Sequence, residues 1–195
     1  MPEHRLYILA DVDIRTEGLP SEMKILLADY PREQWESHEG FKDLTKQWLG
    51  AHQMFRRVTS TLRTDAERYL DQKISADDYV AKLSFRGGSL VSSLHGHHGW
   101  EDHSYFPELS AADPRFDKGL EILEKDHAVL DEVLHQFTNT ANQLIRRVSI
   151  DHSSARDETA ALHGVATTIE TLLQRHLGDE EELAVPIILH HRLRG

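Results

Sequence analysis

Two histidine–carboxylate pairs with matching spacing are the part of this sequence most suited to chemistry. His97 is followed four residues later by Glu101, and His176 is followed four residues later by Glu180. Residues four apart lie on one face of a helix, so each pair can direct an imidazole nitrogen and a carboxylate oxygen to the same point. Each pair could therefore supply two ligands to a metal ion.

The two pairs belong to longer segments that match in register, 79 residues apart (97 to 176). In each, a second carboxylate follows the first, Asp102 in one and Glu181 in the other, and a proline follows at Pro107 and Pro186. One His-x-x-x-Glu spacing arises easily by chance, but its repetition in register predicts a metal site. We expect the second carboxylates to orient ligand imidazoles or face solvent rather than bind metal.

The ligand inventory narrows the kind of metal. The chain has no cysteine, which excludes disulfides, iron–sulfur clusters and thiolate zinc sites. It has 14 histidines and 33 acidic residues, so nitrogen and oxygen ligands are plentiful. This inventory suits iron, manganese or zinc.

Composition and charge limit the class of protein. With 195 residues, 39% of them hydrophobic, the chain suits a single globular domain. Its net charge of −11 argues against binding a nucleic-acid backbone or an anionic membrane. The first residues lack the layout of a signal peptide, and no segment approaches the roughly 20 apolar residues of a membrane span. We therefore expect a cytoplasmic protein.

The elements that must position these residues are helices. Apolar residues at the helical period, with capping and proline signals, predict four long helices at roughly 40–72, 75–107, 113–148 and 154–186. Short loops between them predict an all-α, antiparallel up-down-up-down four-helix bundle over residues 40–190. Residues 1–39 are expected to form an N-terminal arm with a short helix near 21–29, packed on the bundle without contributing chemistry. Residues 191–195 are expected to form a C-terminal tail.

Two further histidines lie in the apolar stripes of the other helices, His52 in the first and His127 in the third. Counting residues from each histidine to the end of its helix, at about 1.5 Å per residue, tests whether the histidines meet. In an antiparallel bundle, His52, His97, His127 and His176 all fall at one level. The sequence therefore predicts one site between the four helices.

This arrangement resembles the hemerythrin family, in its bacterial form the HHE cation-binding domain, over roughly residues 40–190. The resemblance implies two iron ions joined by an oxo or hydroxo bridge and by Glu101 and Glu180. Its terminal ligands would be the histidines at one level: His52, His97, His127 and His176. Manganese or zinc would also suit these donors.

The chain departs from oxygen-carrying hemerythrins on the third helix. Those proteins have a second histidine four residues before the one that matches His127, and this chain has Leu123 there. Some HHE domains use the residue after the histidine of the second helix, here His98, and Asp131 is a competing replacement. Five histidines would leave one coordination position open on one iron, whereas four would leave two and make the site more enzyme-like.

Three functions follow from this interpretation. The first is a di-iron protein that binds or senses dioxygen, peroxide or nitric oxide, and it is favoured over an enzyme by the five-histidine count. The second is a redox enzyme that reduces peroxide or oxygen or oxidises ferrous iron, which would be favoured if His98 is not a ligand and Tyr105 lines the pocket. The third is a metal-free helical interaction module, and the sequence specifies no protein partner in any of the three cases.

Overall fold

The computed structural model describes residues 14–150 and 155–193, and in these residues there is no β-strand. The described chain contains five α-helices: α1 (Asp43–Leu70), α2 (Ala76–Trp100), α3 (Phe106–Ala112), α4 (Asp117–Ile150) and α5 (Arg156–His191). Each of the four long helices packs against two others, in the cyclic order α1, α2, α4, α5. The predicted all-α four-helix bundle is confirmed.

The apolar core is divided into two clusters along the bundle axis. One contains Phe55 of α1 and Leu130 of α4, and the other contains Trp48 of α1 and Leu123 of α4. In α1 and α4, the segment between these residues carries one histidine. In α5 the first cluster ends at Leu177 and the second begins at Leu183, whereas α2 contributes to the first cluster only. Packing on both sides therefore holds a polar layer in the middle of a bundle that is otherwise apolar.

The sequence predicted that the second long helix ends at Pro107, and this prediction is wrong. A π-helical turn, Glu101–Tyr105, follows α2 directly and leads into α3, which ends at Ala112. Pro107 lies in the first turn of α3, where a missing backbone N–H costs little. Such π-turns within helices are frequent at functional sites.

Helix α5 likewise passes through Pro186 and ends at His191, so the prediction that it ends at the proline is wrong. A proline inside a helix removes one backbone hydrogen bond and costs roughly 3 kcal/mol. Pro186 is buried together with its neighbours Val185 and Ile187. Burial of this apolar segment outweighs the local cost, because packing dominates helix stability in folded proteins.

The N-terminal segment runs along the bundle without an α-helix in its described part. Three 3₁₀ turns, Ser21–Met23, Ile25–Ala28 and Arg32–Ser37, take the place of the short helix predicted near residues 21–29. Leu26 and Trp35 are buried against the apolar cluster that contains Trp48. Residues 1–13 of the predicted arm, and 194–195 of the predicted tail, lie outside the described residues.

Candidate metal centre

The seven side chains predicted to bind metal converge at the polar layer of the bundle. Their ligand atoms form two groups, and within each group these atoms lie within 4.8 Å of one another. The first group contains His52, His97, Glu101 and Glu180, and the second contains His98, His127 and His176. Helices α1, α4 and α5 supply four of them, and the end of α2 with the π-turn that follows it supplies His97, His98 and Glu101.

Both glutamates reach from one group to the other. Oε1 of Glu101 lies 3.1 Å from Nε2 of His97, and its Oε2 lies 3.6 Å from Nε2 of His127. Oε2 of Glu180 lies 3.6 Å from Nε2 of His52, and its Oε1 lies 3.2 Å from Nε2 of His127. Each carboxylate thus directs one oxygen at each group, which is the arrangement that two neighbouring metal ions sharing a ligand require.

The second carboxylates of the repeated segments contact histidines on other helices. Oδ1 of Asp102 lies 2.7 Å from Nδ1 of His127, and Oε1 of Glu181 lies 3.1 Å from Nδ1 of His52. These contacts leave Nε2 of each imidazole directed at the two groups. A carboxylate on the outer nitrogen of a histidine is typical of metal sites, because it fixes the orientation and tautomer of the ring.

Several buried polar atoms in the two groups lack a hydrogen-bond partner among the described residues. They are both ring nitrogens of His98, Nε2 of His176, Oε2 of Glu101 and Oε2 of Glu180. Buried polar groups almost always have a bonding partner, so this many unpaired atoms indicate a partner other than the described residues. Imidazole and carboxylate donors suit iron, manganese or zinc, so the residues present fit a metal centre.

The electrostatics of the two groups are those of a cation site. Burial opposes the ionised form of Glu180, but the imidazoles of His176, His127 and His52 together outweigh burial and hold the pKa of Glu180 well below its ordinary value. Burial also opposes the charged form of His176, yet Glu180 and Asp126 together raise its pKa to about 9. Burial and the neighbouring imidazoles lower the pKa of His98, which keeps it in the neutral form that binds metal.

Comparison with protein-family models matches residues 43–188 to the hemerythrin HHE cation binding domain. This chain belongs to that family. Comparisons with curated proteins and with solved structures found no match. Membership makes the chain a helical metal-binding protein of a family that binds small ligands. Across the residues that the structure describes, no helix is long and apolar enough to span a membrane.

The geometry of this hemerythrin domain distinguishes the two candidates for the fifth histidine position. His98 is buried, and its ring stacks on that of His127 with the centroids 4.1 Å apart. Asp131 is 53% exposed and pairs instead with His95 at the surface, with its Oδ1 3.3 Å from Nε2. His98 therefore belongs to the second group, and Asp131 does not.

Sequence reasoning missed a carboxylate and the arginines that contact it. Nδ1 of His176 lies 3.3 Å from Oδ2 of the buried Asp126. Arg15 of the N-terminal segment forms ion pairs with both Asp126 and Asp179, so this segment does contribute to the site. One feature of the sequence indicates a role for Asp126, which is that it directly precedes His127. No sequence period predicts that Arg15 lies beside Asp126.

A tryptophan links the apolar core to the metal-binding groups. Nε1 of Trp48 donates a hydrogen bond of 2.6 Å to Oε1 of Glu101, and both side chains are buried. The ring of Trp48 also packs on Tyr105, with the centroids 5.4 Å apart. The hydrogen bond holds Glu101 in place.

Proposed function

We propose that this hemerythrin domain holds two iron ions and reversibly binds or senses dioxygen or a related small molecule, such as peroxide or nitric oxide. The observation that carries the proposal is the reach of Glu101 and Glu180 across both groups of ligand atoms. A single metal ion would need only one of the two groups of ligand atoms. Two carboxylates that each direct one oxygen at each group instead suit two ions. Bound iron would supply the electron exchange that binding of dioxygen requires.

The ligand count favours binding over turnover. The first group contains two imidazoles, His52 and His97, and the second contains three. If both glutamates were shared, the second ion would have five protein ligands and the first would have four, so the first would be the more open to a small ligand. Such histidine-rich ligation with little open coordination favours reversible binding of a small molecule.

The orientation of the imidazoles supports the same proposal. Carboxylates hold the outer nitrogens of His52, His127 and His176, so these rings are fixed before any ligand arrives. Apolar clusters lie on both sides of the polar layer along the bundle, and a cavity beside His97 gives access to it. A preorganised site with limited access suits a protein that must bind a reactive molecule and release it unchanged.

The test is a visible absorption spectrum of protein loaded with ferrous iron without oxygen and then exposed to air. The proposal predicts a new band that disappears on degassing and returns on re-exposure. His97→Ala should abolish the band, whereas His95→Ala should keep it, because His95 is exposed on the same helix. Irreversible oxidation without a reversible band would overturn reversible binding.

A second candidate function, reduction of peroxide or oxygen or oxidation of ferrous iron, is favoured by one observation. Tyr105 lines a cavity of about 380 Å³ that reaches His97, so a reactant could approach the first group. Steady-state consumption of peroxide with an added reductant, lost in His97→Ala, would support the enzyme. No turnover with any reductant would remove it.

A further inference from the structure

A cavity beside the first group of ligand atoms is open to the protein surface. It has a volume of about 380 Å³, and its lining is mainly apolar. Leu44 and Trp100 stand at this cavity with 55% and 47% of their surfaces exposed. Large apolar side chains this exposed, gathered around one concave surface, indicate a binding site.

Two walls of the cavity belong to the proposed metal centre. His97 lines the cavity, and its Nε2 lies 3.1 Å from Oε1 of Glu101. The ring of Trp48 also lines it, while the indole nitrogen of Trp48 donates to that same oxygen. An occupant would therefore contact two side chains that touch Glu101 directly.

The π-turn supplies a third wall. Tyr105, its last residue, packs on Trp48 and stacks on Trp100, with the centroid of the Trp100 ring 4.7 Å away. Three aromatic side chains therefore contribute to the wall of the cavity.

The charge and size of the lining restrict the occupant. Glu108 is its carboxylate, Gln47 and Ser104 add neutral polar groups, and no described lysine or arginine lines it. A carboxylate accepts hydrogen bonds and repels anions, and the otherwise mainly apolar lining opposes the burial of any charge. A neutral occupant with a hydrogen-bond donor therefore fits best. A cavity of 380 Å³ is at the small end of ligand sites, which run from roughly 300 to 1,000 Å³.

We propose that this cavity binds a neutral aromatic molecule of one or two rings that carries a hydroxyl group. The rings pack against the aromatic side chains of the lining, and the hydroxyl donates to an acceptor of the polar lining. This inference goes beyond the proposed function, because the cavity itself needs no metal and its occupant differs from the small molecule that the two ions would bind.

Isothermal titration calorimetry with 2-naphthol, a neutral two-ring alcohol, tests the inference on the protein as purified. We expect saturable binding of about one molecule per chain. The matched ligand 2-naphthoate carries a carboxylate on the same rings and should bind about tenfold more weakly or worse, because Glu108 repels it. Equal binding of the two ligands, or no saturable binding of 2-naphthol, would overturn the proposal.

Two exposed aromatic residues of α2 give a matched pair of variants. Trp100→Ala removes an aromatic wall and should weaken 2-naphthol binding about tenfold or more. Phe85→Ala removes a side chain that is 77% exposed and lies outside the cavity, so it should leave binding unchanged. Equal effects of the two substitutions would overturn the assigned site, and thermal melting of both variants checks their folding.

Iron content measured on the same sample separates this inference from the proposed function. Binding of 2-naphthol to chains that take up no iron would support the cavity assignment and contradict the di-iron proposal. Protein that holds iron but does not bind 2-naphthol would overturn the cavity assignment alone. The two proposals therefore fail by different measurements.

Discussion

Nδ1 of His176 lies 3.3 Å from Oδ2 of Asp126, a buried carboxylate that Arg15 contacts from the N-terminal segment. A continuous series of charged contacts thus connects the outer segment to an imidazole of the proposed metal centre. Arg175 reaches the same carboxylate oxygen at 3.2 Å. Asp126 therefore has two tasks, since it orients a proposed ligand and attaches the N-terminal segment to the bundle.

Removing the charge of Asp126 should weaken metal binding. In Asp126→Asn, the amide no longer attracts the outer nitrogen of His176, so the ring loses its fixed orientation. Loss of such a partner typically lowers metal affinity about 10- to 100-fold. Competition with a chelator measures the effect, with Asp131→Asn as the control because Asp131 is an exposed aspartate on the same helix. Equal affinities of the two variants would contradict the role given to Asp126.

Removing the guanidinium of Arg15 should lower the stability of the whole domain. Arg15→Met leaves Asp126 and Asp179 without one ion-pair partner each. Both carboxylates are buried and the Arg15 side chain is 22% exposed, so we expect a loss of about 1–3 kcal/mol in the free energy of unfolding. Urea unfolding measures this, and Arg192→Met, at a side chain 77% exposed, should change stability by less than about 0.5 kcal/mol.

Helical period and register were sufficient to predict the bundle and the level of its polar layer. His52 and His127 could be selected because they interrupt apolar stripes, and their levels follow from counting residues along straight helices. Contacts made by an irregular segment have no such rule. The approach of Arg15 to Asp126 depends on an irregular segment with three 3₁₀ turns. The position of Tyr105 depends on a π-turn. Neither kind of turn has a sequence period that would predict it. The sequence did not predict that α5 continues through Pro186, because tertiary packing outweighs the helix-ending tendency of a proline.

The metal-free protein should lose stability as the pH rises above 6.5. Glu180 and Asp126 outweigh burial and raise the pKa of His176 from 6.5 to about 9, so the folded chain holds a proton that the unfolded chain has released. The stability from this proton is fully present below pH 6.5 and is lost as the pH rises through about 9. The pKa values of His52 and His127 are also raised, which adds to the loss. The lowered pKa of His98 contributes only below pH 6.5.

Thermal melting of chelator-treated protein between pH 6 and pH 9.5 measures this loss. His176→Gln should flatten the decline, because glutamine cannot hold the proton. A melting temperature that stays constant or rises over this interval in the unsubstituted protein would contradict the electrostatic account.

Two adjacent glycines in α2 should respond in opposite directions to alanine. A Cβ atom at Gly87 would lie 3.0 Å from Cε1 of Phe137, whereas one at Gly88 would meet nothing within 4 Å. Gly88→Ala should therefore stabilise the domain by roughly 0.5–1 kcal/mol through helix propensity. Gly87→Ala should destabilise it by about 1–3 kcal/mol, because Phe137 must move in a packed core. Urea unfolding of both variants is the measurement, and a stabilised Gly87→Ala would contradict the close packing of α2 on α4.

The central claim is that the reach of Glu101 and Glu180 across both groups provides for two ions in one chain. Anaerobic titration with ferrous iron, followed by removal of excess metal and elemental analysis per folded chain, tests it most directly. The structure predicts saturation at about two irons per chain, falling in Glu180→Ala because each ion loses a shared ligand. Saturation at about one iron, or no retention of iron, would contradict a two-ion centre.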